Sequence, residues 1–357
     1  MMRFGERQMK LRHRLREQNL DGLLVTHIPN IRYVTGFTGS TAMLLITDLE
    51  ALFVTDSRYV VQASQQVTGR VVKVEESYLK TAGEAIQEAK LRRVGFESAH
   101  MTHQQLNALF QHVSGNVVFV PTGEVVETLR QVKEPEEAEA IRQAVQLTSE
   151  VFEEFIEEIK PGVRERDLAL ELEYRLRQRG AEKLSFDTII ASGHRSALPH
   201  GIASDKRIDQ GFVVCDFGIV LDGYCSDMTR TVYLGNPDSR AREIYDTVLS
   251  AQLNCEEHMR AGMENRAMDA LTRDVITARG YGDQYGHGTG HGVGLEVHES
   301  PRISKTANGT VPAGAVVTVE PGIYVPDWGG VRIEDIVVVT ETGCEVLTPT
   351  PKELMVL

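Results

Sequence analysis

The segment Val213-Val-Cys-Asp216-Phe-Gly-Ile-Val-Leu-Asp222-Gly223-Tyr-Cys-Ser-Asp227-Met-Thr-Arg-Thr231 decides the fold of the C-terminal part of this chain. Two apolar, β-branched runs flank Asp222-Gly223, a dipeptide that favours a two-residue hairpin turn. With Leu221 opposite Tyr224, the register predicts Asp216 opposite Thr229 and Asp227 opposite Gly218. Strand side chains alternate, so Asp216 and Asp227 then share a face as diagonal neighbours, about 7–8 Å apart at the backbone. Cys215 and Cys225 turn to the other face, as core residues. Thr229 is placed to partner Asp216, and Gly218 to leave space opposite Asp227.

An average Asp or Glu is a solvated surface group. These two lie among Val, Ile and Phe on predicted internal strands, which argues against that reading. A second pair of strands, Val316 to Glu320 and Val331 to Thr340, carries Glu320 and Glu334. Glu320 ends its strand before Pro321, which cannot donate to a ladder. Arg332 and Glu334 are two apart and share a face, with Asp335 pointing away. A structural Arg332–Glu334 ion pair is the competing reading for that pair. The stretch from Gly322 to Gly330 reads as a loop able to close over a substrate.

Tyr285-Gly-His-Gly-Thr-Gly-His-Gly-Val-Gly294 places a glycine at every second position, which lets the backbone approach another group closely. His287 and His291 lie in it, and His298 follows. One imidazole is enough as a ligand; the others, and His200 after Ala197-Leu-Pro, are left for proton transfer. A phosphate loop is excluded, since neither Gly-x-Gly-x-x-Gly nor Gly-x-x-x-x-Gly-Lys occurs. Asp216, Asp227, His291, Glu320 and Glu334, brought to one point, would repel each other. Two divalent cations remove that cost and fit the ligand count, and such a pair points to hydrolysis by metal-activated water.

The 357 residues predict two domains. Lysines and arginines number 38 against 51 acids, a net charge of −13, which argues against a general grip on nucleic acid or anionic lipid. The four cysteines form no Cys-x-x-Cys pair and suit a reducing cytosol. The charged first 20 residues hold no signal-peptide core, and no apolar run approaches the ~18 residues of a membrane span.

Residues 4–18 predict a helix with Met9, Leu11 and Leu15 on its apolar stripe. Strands are predicted at Gly22 to Val25, Thr41 to Ile46, Ala51 to Thr55, Val71 to Val74, Val94 to Phe96 and Val117 to Val120. A helix covers Tyr59 to Gln66, and Asn30 to Gly39 reads as a turn-rich loop. This is an α/β domain. The composition turns polar near residues 125–130, where Pro135 starts a long helix. The remainder repeats itself loosely: helices near 135–158 and 165–178 precede the first hairpin, and helices near 241–260 and 266–278 precede the second.

Together, Asp216-Phe-Gly, Ser226-Asp-Met-Thr-Arg-Thr231, Gly290-His-Gly-Val-Gly-Leu-Glu-Val-His-Glu299, Val319-Glu-Pro-Gly-Ile-Tyr324 and Gly330-Val-Arg-Ile-Glu-Asp335 resemble the pita-bread metallopeptidases. The resemblance is to their proline-specific branch, the prolidases (Xaa-Pro dipeptidases) and aminopeptidase P. Tyr33-Val-Thr-Gly-Phe-Thr-Gly39 and Thr55-Asp-Ser-Arg-Tyr59 resemble the creatinase-type N-terminal domain. The resemblance implies an α/β creatinase/prolidase-type domain over residues 1–127. It implies an α+β pita-bread catalytic domain with a pseudo-twofold repeat over 128–357. It implies a homodimer in the cytoplasm that hydrolyses the bond before proline with hydroxide generated at two divalent metals. Manganese is expected ahead of cobalt or zinc, given the hardness of the ligands. By position, Asp216, Asp227, His291, Glu320 and Glu334 match metal ligands, with Asp227 and Glu334 bridging. His200 and His298 match histidines that polarise the scissile carbonyl, and Glu320 the proton shuttle. His287, His298, Tyr324 and Arg332 match residues lining the substrate or the metal shell.

Dipeptides are expected ahead of the longer peptides cut by aminopeptidase P. Methionine aminopeptidase lacks the N-terminal domain, and creatinase works without metal. A non-catalytic binding protein on this fold would be expected to have lost ligands, and all five are present.

Overall fold

The six apolar runs of the first 122 residues form one mixed sheet in the computed structural model, which describes residues 2–357. Its order is Arg70–Lys73, Ala51–Thr55, Met43–Thr47, Gly22–Val25, Arg93–Glu97 and Val118–Thr122. The three strands over 22–55 run antiparallel, and the outer pairings are parallel. Helices cover the faces, so the strands read as continuous apolar runs rather than alternating ones.

Two expectations fail here. The stretch 30–39 is not a loop throughout: Ile28–Thr35 is a helix, with Pro29 in its first turn and Gly36 closing it at φ +82°. Proline early and glycine just past the end are start and stop signals, and they outweigh the turn-forming composition. Met9 is 61% exposed. The buried face of the helix Phe4–Glu17 instead runs through Arg7, Gln8, Leu11 and Leu15. Arg7 earns that place by stacking on Tyr33, 4.2 Å from its ring centre, and donating to the Tyr33 carbonyl at 3.0 Å.

The chain divides into two compact units, the first ending at Arg130 and the second spanning Gln131–Leu357. The second is built twice. Helices Pro135–Phe155 and Glu165–Gln178 are echoed by Ser239–His258 and Asn265–Ala278. The joints match as well. Gly162 N donates to Ile208 O and Gly262 N to Val311 O, while Ile208 N donates to Val163 O and Val311 N to Met263 O. Gly162 and Gly262 sit at φ +86° and +80°. Each half has its own apolar core, and their strands meet at the seam. There Glu334 N donates to Thr229 O at 3.1 Å.

The first hairpin forms in the expected register. Leu221 pairs with Tyr224 and Asp216 with Thr229, and Asp222 and Gly223 turn at φ +48° and +78°. The second pair of strands differs. The run 331–340 is two strands, Gly329–Arg332 and Asp335–Val339, broken at Ile333-Glu334. The presumed loop 322–330 is itself a hairpin, Gly322–Val325 against Gly329–Arg332. Its tight turn places Asp327 at φ +59°. Among the described residues, no helix is long and apolar enough to cross a membrane.

Candidate metal centre

Asp216 lies in the strand Gly211–Phe217. Asp227 sits in the break between Tyr224–Cys225 and Met228–Leu234. Ser226 makes that break: its Oγ accepts from Ile219 N at 3.0 Å and bonds Thr148 Oγ1 at 2.7 Å. A Cβ on Gly218 would lie 2.1 Å from the Ser226 carbonyl oxygen. The space left by Gly218 is therefore filled by the backbone that carries Asp227.

His291 is held in a short strand, Gly290–Gly292, between Glu299–Ile303 and Val316–Val319. A Cβ on Gly290 would meet the Thr318 carbonyl at 2.0 Å, so this part of the glycine-rich stretch is a tightly packed inner strand. Glu320 follows its strand directly, its N–H donating to Thr289 O at 2.8 Å. Glu334 occupies the break at the seam.

These placements bring ligand atoms of Asp227, His291 and Glu334 within 4.8 Å of one another. His291 Nε2 lies 3.7 Å from Asp227 Oδ2 and 3.2 Å from Glu320 Oε1. Asp216, Asp227 and Glu334 are 8%, 5% and 2% exposed, which excludes the reading as surface carboxylates. Asp216 meets the cluster through Arg332 Nη2, which bonds its Oδ2. Its Oδ1 is buried without a hydrogen-bond partner among the described residues.

Arg332 thus pairs with Asp216, not Glu334. Its other donors reach Tyr324 Oη at 2.8 Å, Thr229 Oγ1 at 3.0 Å and Pro199 O at 3.2 Å. Thr229 stands across the ladder from Asp216, but its hydroxyl donates to Glu334 Oε2 at 2.7 Å. The packing of the two halves at the seam redirects both groups. Tyr324 continues the chain to His287 Nε2 at 2.9 Å, while His287 Nδ1 donates to Gly288 O at 2.8 Å. The His298 ring stacks edge-on to His291, 4.3 Å between centres. His200 is exposed, close enough for its charge to act on Asp216 and His298.

The electrostatics ask for a cation. Burial first, then the charges of Glu334, Asp216 and Glu320, raises Asp227 well above the usual carboxylate range. Burial, then Glu320 and Asp216, does the same to Glu334. Burial raises Asp216 against the pull of Arg332. Burial also pushes Glu320 upward, but the hydrogen bond and charge of His291 outweigh it and bring Glu320 down to about 2. His291 Nδ1 faces the Gly292 carbonyl at 3.1 Å and must donate to it. In the neutral ring, Nε2 then presents a lone pair to two carboxylates, an arrangement satisfied by a cation among them. The orphaned Asp216 oxygen and the hard oxygen donors fit divalent metal.

Sequence reasoning missed several supports. Thr318 Oγ1 accepts from His291 N at 3.1 Å and donates to Glu320 Oε1 at 3.0 Å. Asp269 accepts from Thr289 N at 2.9 Å, and its helical neighbour Arg273 donates to His287 O at 2.7 Å. Lys133 forms a buried pair at 3.4 Å with Glu299, the residue that follows His298. Only the Asp269/Arg273 spacing of four left a local signal.

Residues 139–341 match the metallopeptidase family M24, and residues 7–132 match the creatinase/prolidase N-terminal domain. The chain belongs to metallopeptidase family M24. It is 40% identical to the Xaa-Pro dipeptidase of Pyrococcus furiosus, over 98% of this chain and 99% of that protein. It superposes on an Xaa-Pro dipeptidase from Bacillus anthracis with a TM-score of 0.97 at 43% identity, covering 99% of this chain and 100% of that one. An X-Pro aminopeptidase from Thermotoga maritima gives 0.90 at 37% identity, covering 98% and 99%.

Proposed function

We propose that this protein hydrolyses the peptide bond preceding proline, with Xaa-Pro dipeptides as preferred substrates. The observation that carries the reading is the convergence of Asp227, His291, Glu320 and Glu334 in a chain alike end to end to an Xaa-Pro dipeptidase. Asp216, Asp227, His291, Glu320 and Glu334 would hold two divalent ions, with manganese favoured over cobalt or zinc by ligand hardness. Bound divalent ions supply Lewis-acid charge that acidifies water and polarises a carbonyl at neutral pH.

The side chains divide the remaining work. Glu320, ionised and bonded to His291, accepts and returns the proton moved during hydrolysis. His298 and His200, exposed beside the cluster, donate hydrogen bonds to the scissile carbonyl as negative charge develops. His287 is held as the Nδ1–H tautomer by Gly288, so Tyr324 donates to its Nε2. Burial lowers its pKa and keeps it neutral. Arg332 fixes Asp216 and Tyr324 by donating to both. The X–Pro amide has no N–H to recognise, so specificity rests on shape and on carbonyl contacts.

The deciding experiment strips the protein with chelator, restores Mn²⁺, Co²⁺ or Zn²⁺ singly, and compares an Xaa-Pro dipeptide with an Xaa-Pro-Yaa tripeptide. Metal-dependent cleavage led by Mn²⁺ and the dipeptide is expected. Full activity after chelation would overturn the metal reading, and a strong tripeptide preference the dipeptidase reading. The four cysteines are free, in keeping with a cytoplasmic protein. A homodimer is proposed from family likeness, and a monomer by light scattering would contradict it.

A further inference from the structure

Arg230 is 0% exposed, and each of its five N–H groups has an acceptor. Nε donates to Pro351 O at 2.9 Å. Nη1 donates to Thr229 O at 3.0 Å and Glu334 O at 2.6 Å. Nη2 donates to Asp335 Oδ1 at 2.7 Å and Thr350 O at 2.6 Å. One planar group therefore joins three separate pieces of chain: the first-half strand Met228–Leu234, the seam residues Glu334 and Asp335, and the C-terminal segment 350–351.

Lys352 extends the joint. Its Nζ lies 2.6 Å from Asp335 Oδ2 and 2.5 Å from Glu256 Oε2, and its carbonyl accepts from Tyr245 Oη at 2.8 Å. Beyond it, Tyr233 N donates to Met355 O and Leu357 N to Tyr233 O, both at 2.9 Å, so the tail runs on beside the same strand. Arg230 pairs with Cys215 across the ladder, one position from Thr229. Its side chain therefore leaves on the face opposite Asp216, and it reaches the metal cluster only through backbone.

The contact is placed where ligand spacing is set. Glu334 and Asp227 come from different halves, and their separation depends on how the main chain at Glu334 sits against Thr229. Arg230 binds both carbonyls at once. Metal affinity responds to small displacements of the ligands, and groups that orient ligands commonly govern it by about 10–100-fold. Lysine could keep the charge but not the five-donor fork.

We infer that Arg230 and the C-terminal segment 350–352 form a strap that positions Glu334 against Asp227 and so sets the affinity of the centre for its cations. The inference rests on the proposed metal-binding reading. Its test is a chelator-competition titration with Mn²⁺ of wild-type and R230K, alongside thermal unfolding with and without Mn²⁺. Wild-type protein that binds no Mn²⁺ would remove the metal reading itself. With wild-type binding intact, R230K is expected to bind Mn²⁺ at least about tenfold more weakly, with a smaller metal-induced rise in Tm. A dissociation constant within twofold of wild-type, with Tm lowered equally in both conditions, is the signature of a merely structural residue and overturns the inference. Should R230K fail to fold, K352M/E256Q, which removes one cation and one anion from the strap, is titrated in its place. Unchanged Mn²⁺ affinity there would overturn the inference, and weakened affinity would support it.

Discussion

His291 Nε2 stands 3.2 Å from Glu320 Oε1, and the Nδ1 on the other side of the ring is committed to the Gly292 carbonyl. This one contact explains why Glu320, alone among the clustered acids, is held at about 2 while Asp227 and Glu334 are driven upward. Without metal, the two share one favourable charge pair. A bound cation would draw on both atoms as ligands and take the place of that charge pair.

Glu320→Gln keeps the size of the side chain and removes the charge. We expect turnover under saturating metal to fall by about 10²–10⁴-fold, the range usual for loss of a proton-transferring group. Steady-state kinetics with metal content measured in the same samples checks this, and a loss below tenfold would contradict the proton-carrying role.

Asp227→Asn removes one of the three groups whose donor atoms already converge. Activity is expected to vanish, together with part of the bound metal, while the far-UV CD spectrum stays native. The metal-free variant should be no less stable than the parent, because a strained buried carboxylate has been neutralised. Near-native turnover of the metal-replete variant would refute the assignment.

Metal-free protein should lose stability as pH rises. Asp227, Glu334 and Asp216 are all raised in the folded state, burial being the largest cause of each. Over the interval between unfolded and folded pKa, the native state binds more protons than the unfolded chain, so stability declines with pH. His291 acts in the same direction: burial lowers its pKa, but the bond to Glu320 raises it overall. Glu320, near 2, is titrated only below the usual glutamate range. His287 and His298, lowered by burial, work the other way below the ordinary histidine pKa, so in EDTA Tm is expected to fall from about pH 6.5 to 8, with the increment from added Mn²⁺ growing over the same span. A flat or rising Tm in EDTA would count against this sign.

The Lys133–Glu299 pair is buried to 2% and 5% side-chain exposure, so removing the lysine takes a counter-charge from a buried carboxylate. Lys133→Met is expected to cost about 3–5 kcal/mol of unfolding free energy. Adding Glu299→Gln should recover much of that loss by neutralising the buried carboxylate. Urea unfolding of the single and double variants measures both numbers. Equal stability of the two would show that the pair is not coupled. Glu299 follows His298 directly, so turnover of the single variant should fall while bound metal is retained.

Much of this was legible in the chain itself. Asp222-Gly223 demands positive φ at both positions, so the hairpin register and the pairing of Asp216 with Thr229 follow from two residues and the period of a strand. The helix Glu165–Gln178 follows from its apolar spacing, and so does the strand series of the first unit. Composition misled at 30–39, where proline and glycine frame a helix, and at 322–330, where glycines serve a tight hairpin.

Local spacing and turn chemistry determined most of the elements, their order and which acids lie on internal strands, because those signals act over a few bonds. The tertiary structure alone decided that Thr229 serves Glu334, that Arg332 holds Asp216, and that Arg230 ties the tail to the seam. These contacts join residues more than 100 positions apart. They depend on how two separately packed halves close on each other, and no periodicity in the sequence records that distance.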